Sequence, residues 1–380
     1  MELGGSVQDT EDEGREGCFY SWWAIAYHVW PMRSGKGRSR WWAKVLLGVL
    51  AVALAGGAKD KQRQSLQIYF VDVEGGQATL FVTPSGQSML VDTGWAGFER
   101  RDAKRITAAA KVAGVKRIDY VVITHYHRDH VGGAEQLQKM MKVGTFVDHG
   151  PNLEDSAAAR ADYATYEKVV SHAKHLVVKP GDRIPLEGAE VVVLTAAGEQ
   201  IATAQPGGGG DNEFCGSEPD AEADQSENAR SLGLLVTYGS FRALDLGDLT
   251  KKKELGLVCP KNLIGGVDLY VVSHHGLNQS NARALVLGVH PRVAIMDNGA
   301  RKGGSPEAWQ TVHEAPGLED LWQLHFSVEG GPEHNVAEKF IANPEEGSND
   351  RGYWIKVVAD WDATFTVVNG RNGFTKTYRK

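Results

Sequence analysis

One short stretch, residues 124–130, limits what this chain can be more than any other part of the sequence. It places His125, His127, Asp129 and His130 within six residues, directly after an apolar, β-branched run that predicts a buried strand. Side chains two apart in extended chain point the same way, so His125 and His127 can bind one divalent ion. Asp129 and His130 follow a turn and can reach a second ion. Nitrogen and carboxylate ligands favour zinc, with manganese or iron as alternatives.

Composition sets wide limits on the class of protein. The chain has 380 residues, of which 42% are hydrophobic and 23% are charged, as in ordinary globular proteins. Its net charge of −7 gives no indication of a general nucleic-acid-binding surface. The three cysteines are too few for a disulfide scaffold. Cys215 and Cys259 could pair, but two lone cysteines are more often unpaired, so the sequence does not predict a bridge between them.

The N-terminal region has the layout of a processing segment. A basic cluster precedes an apolar run at 45–55, which ends in an Ala-x-Ala pattern typical of secretory signal peptides. We expect residues 1–31 to be disordered or a mis-assigned start, and residues 32–57 to be a signal peptide. The mature protein would then be periplasmic or secreted. The alternative is an uncleaved membrane anchor, which would be its one link to a membrane.

Hydrophobic patterning predicts an α/β protein, with a mixed sheet covered by helices. The sequence predicts strands at 66–73, 78–82, 88–91, 118–123, 145–148, 191–195, 232–238, 241–246, 268–272, 291–297, 321–326, 353–358, 363–368 and 374–378. It predicts helices at 101–113, 134–141, 157–173 and 306–315. We expect a catalytic domain at 66–326, interrupted by a flexible acidic insertion at 204–226. Residues 327–380 should form a small antiparallel β extension packed on one edge.

The stretch at 124–130 resembles the His-x-His-x-Asp-His motif of the metallo-β-lactamase superfamily. The resemblance implies a four-layer αββα sandwich with one or two metal ions at the edge of the sheets. Residues 72–78 and the pattern that begins at Asn228 resemble the ComEC-type branch, named for the competence proteins. The first of these departs from the branch at Glu74, Gly75 and Gln77.

Three further strand ends complete the implied site. By resemblance, Asp92 orients the metal loop, Asp248 bridges the two ions, and His274 completes the second site, with His275 as the alternative. From the residues alone, Asp92 and Asp248 could equally be turn aspartates beside glycine.

The first metal site lacks one expected ligand. Many members of the family carry a third histidine where this chain has Asn228. The first ion would then be held by His125, His127, Asp248 and water. His149, which also follows a predicted strand, is the other candidate for the open position.

The resemblance implies a metal-dependent hydrolase in which a metal-bound hydroxide attacks the substrate. Asp129 would bind metal and hold or receive the proton, and Asp248 would keep the ions together. We expect a small-molecule or polymeric phosphodiester or phosphoester as substrate, with a lactone or β-lactam as the alternative. A non-catalytic DNA- or cell-wall-binding protein with a structural metal is the hypothesis from another class. The negative net charge argues against it, and so does a ligand set that leaves room for water. The membrane channel of true ComEC proteins is not part of the resemblance, so we do not expect DNA uptake.

Overall fold

The computed structural model describes residues 65–216, 224–345 and 351–380. The expected start at 1–31 and the expected signal peptide at 32–57 lie outside the described residues. Within the described ranges, none of the helices combines the length and the apolar character needed to cross a bilayer.

Two mixed β-sheets form the centre of the described structure. The strands in chain order are β1 (Leu66–Phe70), β2 (Thr79–Val82), β3 (Ser88–Val91), β4 (Arg117–Val122), β5 (Lys142–Asp148), β6 (Lys174–Val177), β7 (Arg183–Ile184), β8 (Glu190–Ala196), β9 (Glu199–Gln200), β10 (Gly233–Tyr238), β11 (Phe241–Asp245), β12 (Leu269–Val271), β13 (Val293–Met296), β14 (Asp320–His325), β15 (Ile341–Asn343), β16 (Ile355–Ala359), β17 (Phe365–Asn369) and β18 (Thr375–Tyr378). The first sheet has the order β18-β17-β16-β1-β2-β3-β4-β5-β6. The second has the order β15-β14-β13-β12-β11-β10-β8-β7, with β9 paired to β8.

Helices cover the outer face of each sheet. They are α1 (Arg101–Val112), α2 (Arg128–Val131), α3 (Ala134–Met140), α4 (Ala157–Val170), α5 (Lys251–Val258), α6 (Arg283–Gly288) and α7 (Pro306–His313). Short 3-10 turns lie at Phe98–Arg100, Asn228–Arg230, Ser273–Gly276 and Glu338–Phe340. Helices α1, α3 and α4 pack on the first sheet, while α5, α6 and α7 pack on the second. The layers therefore follow the predicted αββα order.

Three hydrophobic clusters correspond to the three interfaces between these layers. In β8, Val191 and Val193 enter the cluster between the sheets, while Val192 and Leu194 enter the cluster beneath the second helix layer. Central strands are thus buried on both faces, which explains why they occur in the sequence as nearly continuous apolar runs.

In the parallel part of each sheet, neighbouring strands end at the same edge. Strands β3 to β6 run parallel in the first sheet, and β11 to β15 run parallel in the second. The loops that follow β3, β4, β11, β12 and β13 carry polar, metal-ligand-type side chains. Because the carboxyl ends of parallel strands lie on the same side of a sheet, these loops can converge.

The C-terminal strands are part of the main sheet and not a separate extension. Strand β16 pairs antiparallel with β1, and β17 and β18 continue the first sheet outward. Val357, Phe365 and Tyr378 lie in the core between the sheets. The predicted β extension is correct as a set of strands, but these strands complete the sandwich itself.

The described half of the predicted flexible insertion has fixed contacts. Residues 204–216 form turns, in which the Asn212 amide donates to a carbonyl of α5 (3.2 Å) and to one of α6 (2.8 Å). Cys215 and Cys259 form a disulfide with a Cα–Cα distance of 5.7 Å. Of the two possibilities that the sequence left open, the structure shows the pair and not the unpaired state that was favoured. The insertion brings Cys215 beside the end of α5, a proximity that spacing along the chain does not reveal.

Candidate metal centre

The candidate site lies where the loops after β4, β11 and β12 meet. The loop after β4 carries the 124–130 stretch, and the turn after β11 carries Asp248. Gly247 has a φ of 54°, and a Cβ there would lie 2.9 Å from the Cβ of Thr124. Only glycine combines this left-handed backbone with so close an approach. The Gly247-Asp248 pair therefore brings the carboxylate of the second sheet against the metal loop of the first.

The carboxylate of Asp248 lies at the centre of the site, in contact with several imidazoles. Its Oδ2 lies 3.2 Å from the Nε2 atoms of His130 and His274, and 3.7 Å from Nε2 of His125. Its Oδ1 lies 3.4 Å from Nε2 of His275. Asp248 thus contacts four imidazoles, as a carboxylate placed between two cations would. Its expected role as a bridge between two ions stays a prediction.

One group of ligand atoms gathers on the side of Asp129. Asp129, His130, Asp248 and His275 each offer one ligand atom within 4.8 Å of the others. Oδ2 of Asp129 lies 3.2 Å from His130 Nε2 and 3.3 Å from His275 Nε2. Of the two adjacent histidines, the structure brings His275 into this group. His274, the expected ligand of the second site, does not belong to it.

His274 instead faces the side of His125 and Asn228. Its Nε2 contacts the Asn228 amide nitrogen (3.4 Å) as well as Asp248. His274 and His275 both adopt left-handed backbone, with φ values of 56° and 55°. Such conformations are costly for non-glycine residues and concentrate at functional sites. They direct two consecutive imidazoles to different parts of one centre.

Each of the five imidazoles of His125, His127, His130, His274 and His275 has a side-chain partner on one ring nitrogen. His130 Nδ1 lies 2.7 Å from Asp92, and His275 Nδ1 lies 3.2 Å from Asp297. The remaining pairs are His125 Nδ1 with the Thr124 hydroxyl (3.0 Å), His274 Nδ1 with the Ser280 hydroxyl (3.3 Å) and His127 Nε2 with Glu154 (3.1 Å). Metal-binding histidines are typically oriented in this way. Asp92, the residue expected to orient the metal loop, also accepts two hydrogen bonds from Thr124 (2.8 and 2.7 Å).

His127 and His149 differ in how they relate to the centre. The His127 ring lies beside that of His125, with 4.7 Å between centroids, and its side chain is partly exposed. His149 is buried behind the site, where its Nε2 lies 3.2 Å from Glu227 and its ring packs on Tyr126. The structure therefore gives no support to His149 as the missing ligand of the first ion.

The charge balance of the cluster favours positive charge at its centre. Burial acts to raise the pKa of Asp248, but His130, His274 and His275 outweigh it and hold the pKa well below its usual range. Burial likewise opposes charge on His130, yet Asp248, Asp129 and Asp92 raise its pKa well above the ordinary value. Carboxylates kept ionised in a buried site are the state that binds cations.

The residues present fit a divalent metal. Nε2 of His125 is buried and has no hydrogen-bond partner, although its Nδ1 is held by Thr124. An unpaired buried nitrogen is costly unless something else binds it. The set of imidazoles and carboxylates suits zinc, with manganese or iron as alternatives.

Several residues of the site were missed in the sequence. Asp297 follows β13 just as Asp248 follows β11, so the strand-end pattern could have identified it. Glu154 and Lys302 come from irregular loops and carry no such signal. The Lys302 ammonium contacts Oδ2 of Asp129.

A second group of ligand-type side chains, Asp72, Glu74 and His325, lies elsewhere in the described structure. Asp72 accepts a hydrogen bond from Arg105 (2.8 Å) and lies 2.7 Å from His325 Nε2. The guanidinium already supplies positive charge there. We therefore interpret this group as an ion-pair network that fastens the loop after β1.

Comparisons with known proteins agree with this geometry. Residues 71–217 match the family model of the metallo-beta-lactamase superfamily. Over these residues the chain is therefore similar to the metallo-β-lactamase superfamily, whose members have a hydrolase-type fold and typically bind two divalent metals. Its curated relatives include ComE operon protein 3 of Bacillus subtilis, 26% identical over 49% of this chain. They also include competence protein ComA of Neisseria gonorrhoeae, 26% identical over 58% of this chain. The resemblance to competence proteins is thereby confirmed.

These relatives are much longer than the region they share with this chain. The matches span 20% of ComE operon protein 3 and 25% of ComA, so the chain corresponds to a fifth to a quarter of each. Among solved structures, the metallo-beta-lactamase fold protein YhfI from Bacillus subtilis is similar at 12% identity and a TM-score of 0.42. That match covers 68% of this chain and 95% of YhfI. The fold assignment rests on the family model and on the layer order.

Proposed function

We propose that this protein is a hydrolase of phosphodiesters or phosphoesters that works with two divalent metal ions. The observation that carries the proposal is the convergence on Asp248. Four imidazole nitrogens lie within 3.7 Å of this one carboxylate. Each of these imidazoles also has an outward partner. A purely structural metal site would be closed by four ligands around one ion, whereas this larger ligand set extends over two positions.

We assign the ligands to two positions. His125, His127, His274 and Asp248 would hold the first ion, and Asp129, His130, His275 and Asp248 the second. His274 then supplies the third imidazole of the first position, beside Asn228. This assignment replaces the water or His149 that the sequence suggested. It also gives each of the two adjacent histidines its own ion.

The chemistry follows from what these residues do. When bound, two ions at such a site polarise the scissile bond and lower the pKa of a water. Asp248 holds both positions together through its two oxygens. Asp129 lies at the mouth of the centre, where its carboxylate can hold a proton released during hydrolysis. Asp92, Asp297 and Glu154 fix the orientation of the imidazoles.

The choice of phosphoester over other substrates rests on two points. One is the similarity to the competence proteins, and the other is a set of ligands suited to hold metal cations. A phosphodiester is anionic and is therefore attracted to such a centre. Lactones and β-lactams are the competing substrates, because the same arrangement can serve acyl hydrolysis. The fold is compatible with both chemistries, so a direct comparison of substrates is required.

We further propose that the protein works outside the cytoplasm. The support from the structure is the disulfide between Cys215 and Cys259. Disulfides persist in the periplasm and outside cells, and they are rare in the cytosol. N-terminal sequencing of the protein isolated from its native source tests this location, because export predicts a mature start shortly after Ala55. A cytosolic protein that keeps residues before Met32 would contradict it.

The test of the activity is a substrate comparison with metal analysis. Protein purified without chelators is assayed with bis(p-nitrophenyl) phosphate, γ-butyrolactone and nitrocefin. We expect hydrolysis of the phosphodiester, lost on treatment with EDTA and in His127→Ala. His172→Ala, which changes an exposed histidine outside the site, is the matched control and should keep the activity. Hydrolysis of nitrocefin or the lactone without the phosphodiester would contradict the proposal.

A further inference from the structure

Lys302 stands at the mouth of the metal centre and has no part in the ligand set. It belongs to the glycine-rich loop 299–304, which follows β13. Its ammonium contacts Oδ2 of Asp129 on one side and lies 5.1 Å from the centre of the Trp95 ring on the other. The side chain is 29% exposed. Lys302 therefore contacts the buried centre through Asp129 and is also partly exposed to solvent, from which a substrate would arrive.

The loop that carries Lys302 is held firmly against the site. The Gly299 amide donates to the Lys302 carbonyl (2.8 Å), and the Gly304 amide donates to the His275 carbonyl (2.9 Å). On its other side the loop meets Gly75, where an added Cβ would lie 2.9 Å from Cβ of Lys302. The position of the lysine stem is thus defined by contacts with the metal-binding histidine segment and with the loop after β1.

The chemistry of the neighbours indicates what the ammonium does. Asp129 is proposed to bind an ion, so its negative charge is shared with that ion and no longer neutralises the lysine alone. A lysine next to divalent cations is repelled by them and is stabilised by an anion that it can share with them. Trp95 provides an aromatic face that accommodates an ammonium without removing its charge. The lysine therefore combines a contact to Asp129 and an aromatic neighbour with a side chain that is 29% exposed, so an anion can reach its ammonium.

We infer that Lys302 is a substrate-binding residue that pairs with a non-bridging oxygen of an anionic phosphoester. This inference rests on the proposed function and narrows it. It makes the site selective for substrates that carry a negative charge beside the scissile bond, and it disfavours neutral esters and lactones. The competing role is a structural one, in which Lys302 only neutralises Asp129 and so supports the second metal position.

The test uses metal-loaded full-length protein and three variants. Lys302→Gln removes the charge, Lys302→Arg keeps it, and Arg301→Gln removes the same charge from the adjacent exposed position of the loop. Affinity for inorganic phosphate is measured by calorimetric titration, metal content by elemental analysis, and KM with bis(p-nitrophenyl) phosphate. We expect Lys302→Gln to weaken phosphate binding and raise KM by about 10-fold or more, the scale of a lost charge-assisted hydrogen bond. Its metal content should equal that of the wild type. Lys302→Arg should retain most of the binding, and Arg301→Gln should resemble the wild type.

Three outcomes would overturn the inference, and they can be told apart. If Lys302→Gln binds phosphate as the wild type does while the wild type hydrolyses the phosphodiester, the inference fails and the proposed function stands. If Lys302→Gln loses one ion, the lysine supports Asp129 and the substrate-binding role is wrong. If the wild type, fully loaded with metal, neither binds phosphate nor hydrolyses the phosphodiester, the proposed function fails and the inference fails with it.

Discussion

At the scale of single residues, the adjacent His274 and His275 give the sharpest test of the ligand assignment. Their left-handed backbones direct His274 toward Asn228 and His275 toward Asp129. We expect His274→Ala and His275→Ala each to retain one of two ions, because each removes a ligand from a different position. Loss of a direct ligand should weaken metal binding by more than the roughly 10- to 100-fold that follows loss of an outward partner.

Double variants decide which ion each histidine serves. His127→Ala removes a ligand of the first position only, so combining it with His274→Ala should leave the second ion in place. Combining His127→Ala with His275→Ala should abolish binding of both. Elemental analysis after dialysis reports the count. If the first combination also loses both ions, His274 belongs to the second position and the assignment is wrong.

A different residue, Asp245, links the site to the pH dependence of stability. Burial raises its pKa to about 7, against the partial effect of hydrogen bonds from Gln77 and Gly247. The folded chain therefore holds this proton at pH values where the unfolded chain, with an aspartate pKa near ~3.9, has released it. For metal-free protein, we expect the contribution of Asp245 to the free energy of unfolding to fall as pH rises from about 4 to about 7, and then to level off. The loss is a few kcal/mol, at about 1.4 kcal/mol per pKa unit.

Urea denaturation of EDTA-treated protein at several pH values checks this expectation. The difference in free energy of unfolding between the wild type and Asp245→Asn should change by this amount between pH ~4 and ~7, because asparagine does not ionise. Asp155→Asn changes a side chain that is 92% exposed and is the matched control. Identical slopes in the wild type and Asp245→Asn would show that another group holds the proton.

At the scale of elements, the loop after β1 acts as a brace for the metal loop. The backbone N–H of Gln77 donates to the backbone carbonyl of Asp129 (3.2 Å). A Cβ on Gly76 would lie 2.3 Å from the same carbonyl oxygen. Because that oxygen belongs to the backbone, an added Cβ could be accommodated only if the loop after β1 or the metal loop moved. The contact explains why this position keeps the glycine of the ComEC-type pattern although both of its neighbours, Gly75 and Gln77, depart from it.

Gly76→Ala should therefore displace the metal loop and lower metal affinity. We expect a loss of stability of about 1–3 kcal/mol, as for other overpacked positions, together with reduced metal content. Gly210→Ala, where an added Cβ meets nothing within 4 Å, is the control and should change neither quantity. Metal titration and urea denaturation of both variants provide the measurements. Normal metal affinity in Gly76→Ala would contradict the bracing role.

At the scale of the whole molecule, the sequence predicted the layers better than the connections between them. Central strands such as β4 and β8 are buried on both faces, so their apolar runs were visible without a structure. The pairing of β16 with β1 joins residues from opposite ends of the described chain. No local pattern encodes such a partner. The same reason explains why the disulfide of Cys215 with Cys259 was not expected.

In the candidate site too, local sequence patterns predicted some residues, while positions set by tertiary contacts could not be predicted. The 124–130 motif and Asp248 could be predicted because spacing and strand ends place them. The choice between His274 and His275 depends on backbone dihedrals, which the sequence Ser-His-His-Gly does not specify. Glu154 and Lys302 reach the site from loops whose course is set by tertiary contacts. Sequence reasoning therefore found most of the direct ligands and missed several of the groups that orient them or face the substrate.

The central claim is that one carboxylate, Asp248, holds two ions together, and the most direct test is a zinc titration of Asp248→Asn beside the wild type and Asp92→Asn. The wild type should bind two ions per chain. Asp248→Asn keeps the shape of the side chain but removes the charge that offsets the repulsion between the ions, so it should bind about half as much. Its phosphodiesterase rate should fall at least ~100-fold, the scale of losing a key electrostatic group. Asp92→Asn should lose about 10- to 100-fold in affinity or activity, because it acts through His130. Full metal content and full activity in Asp248→Asn would contradict the account.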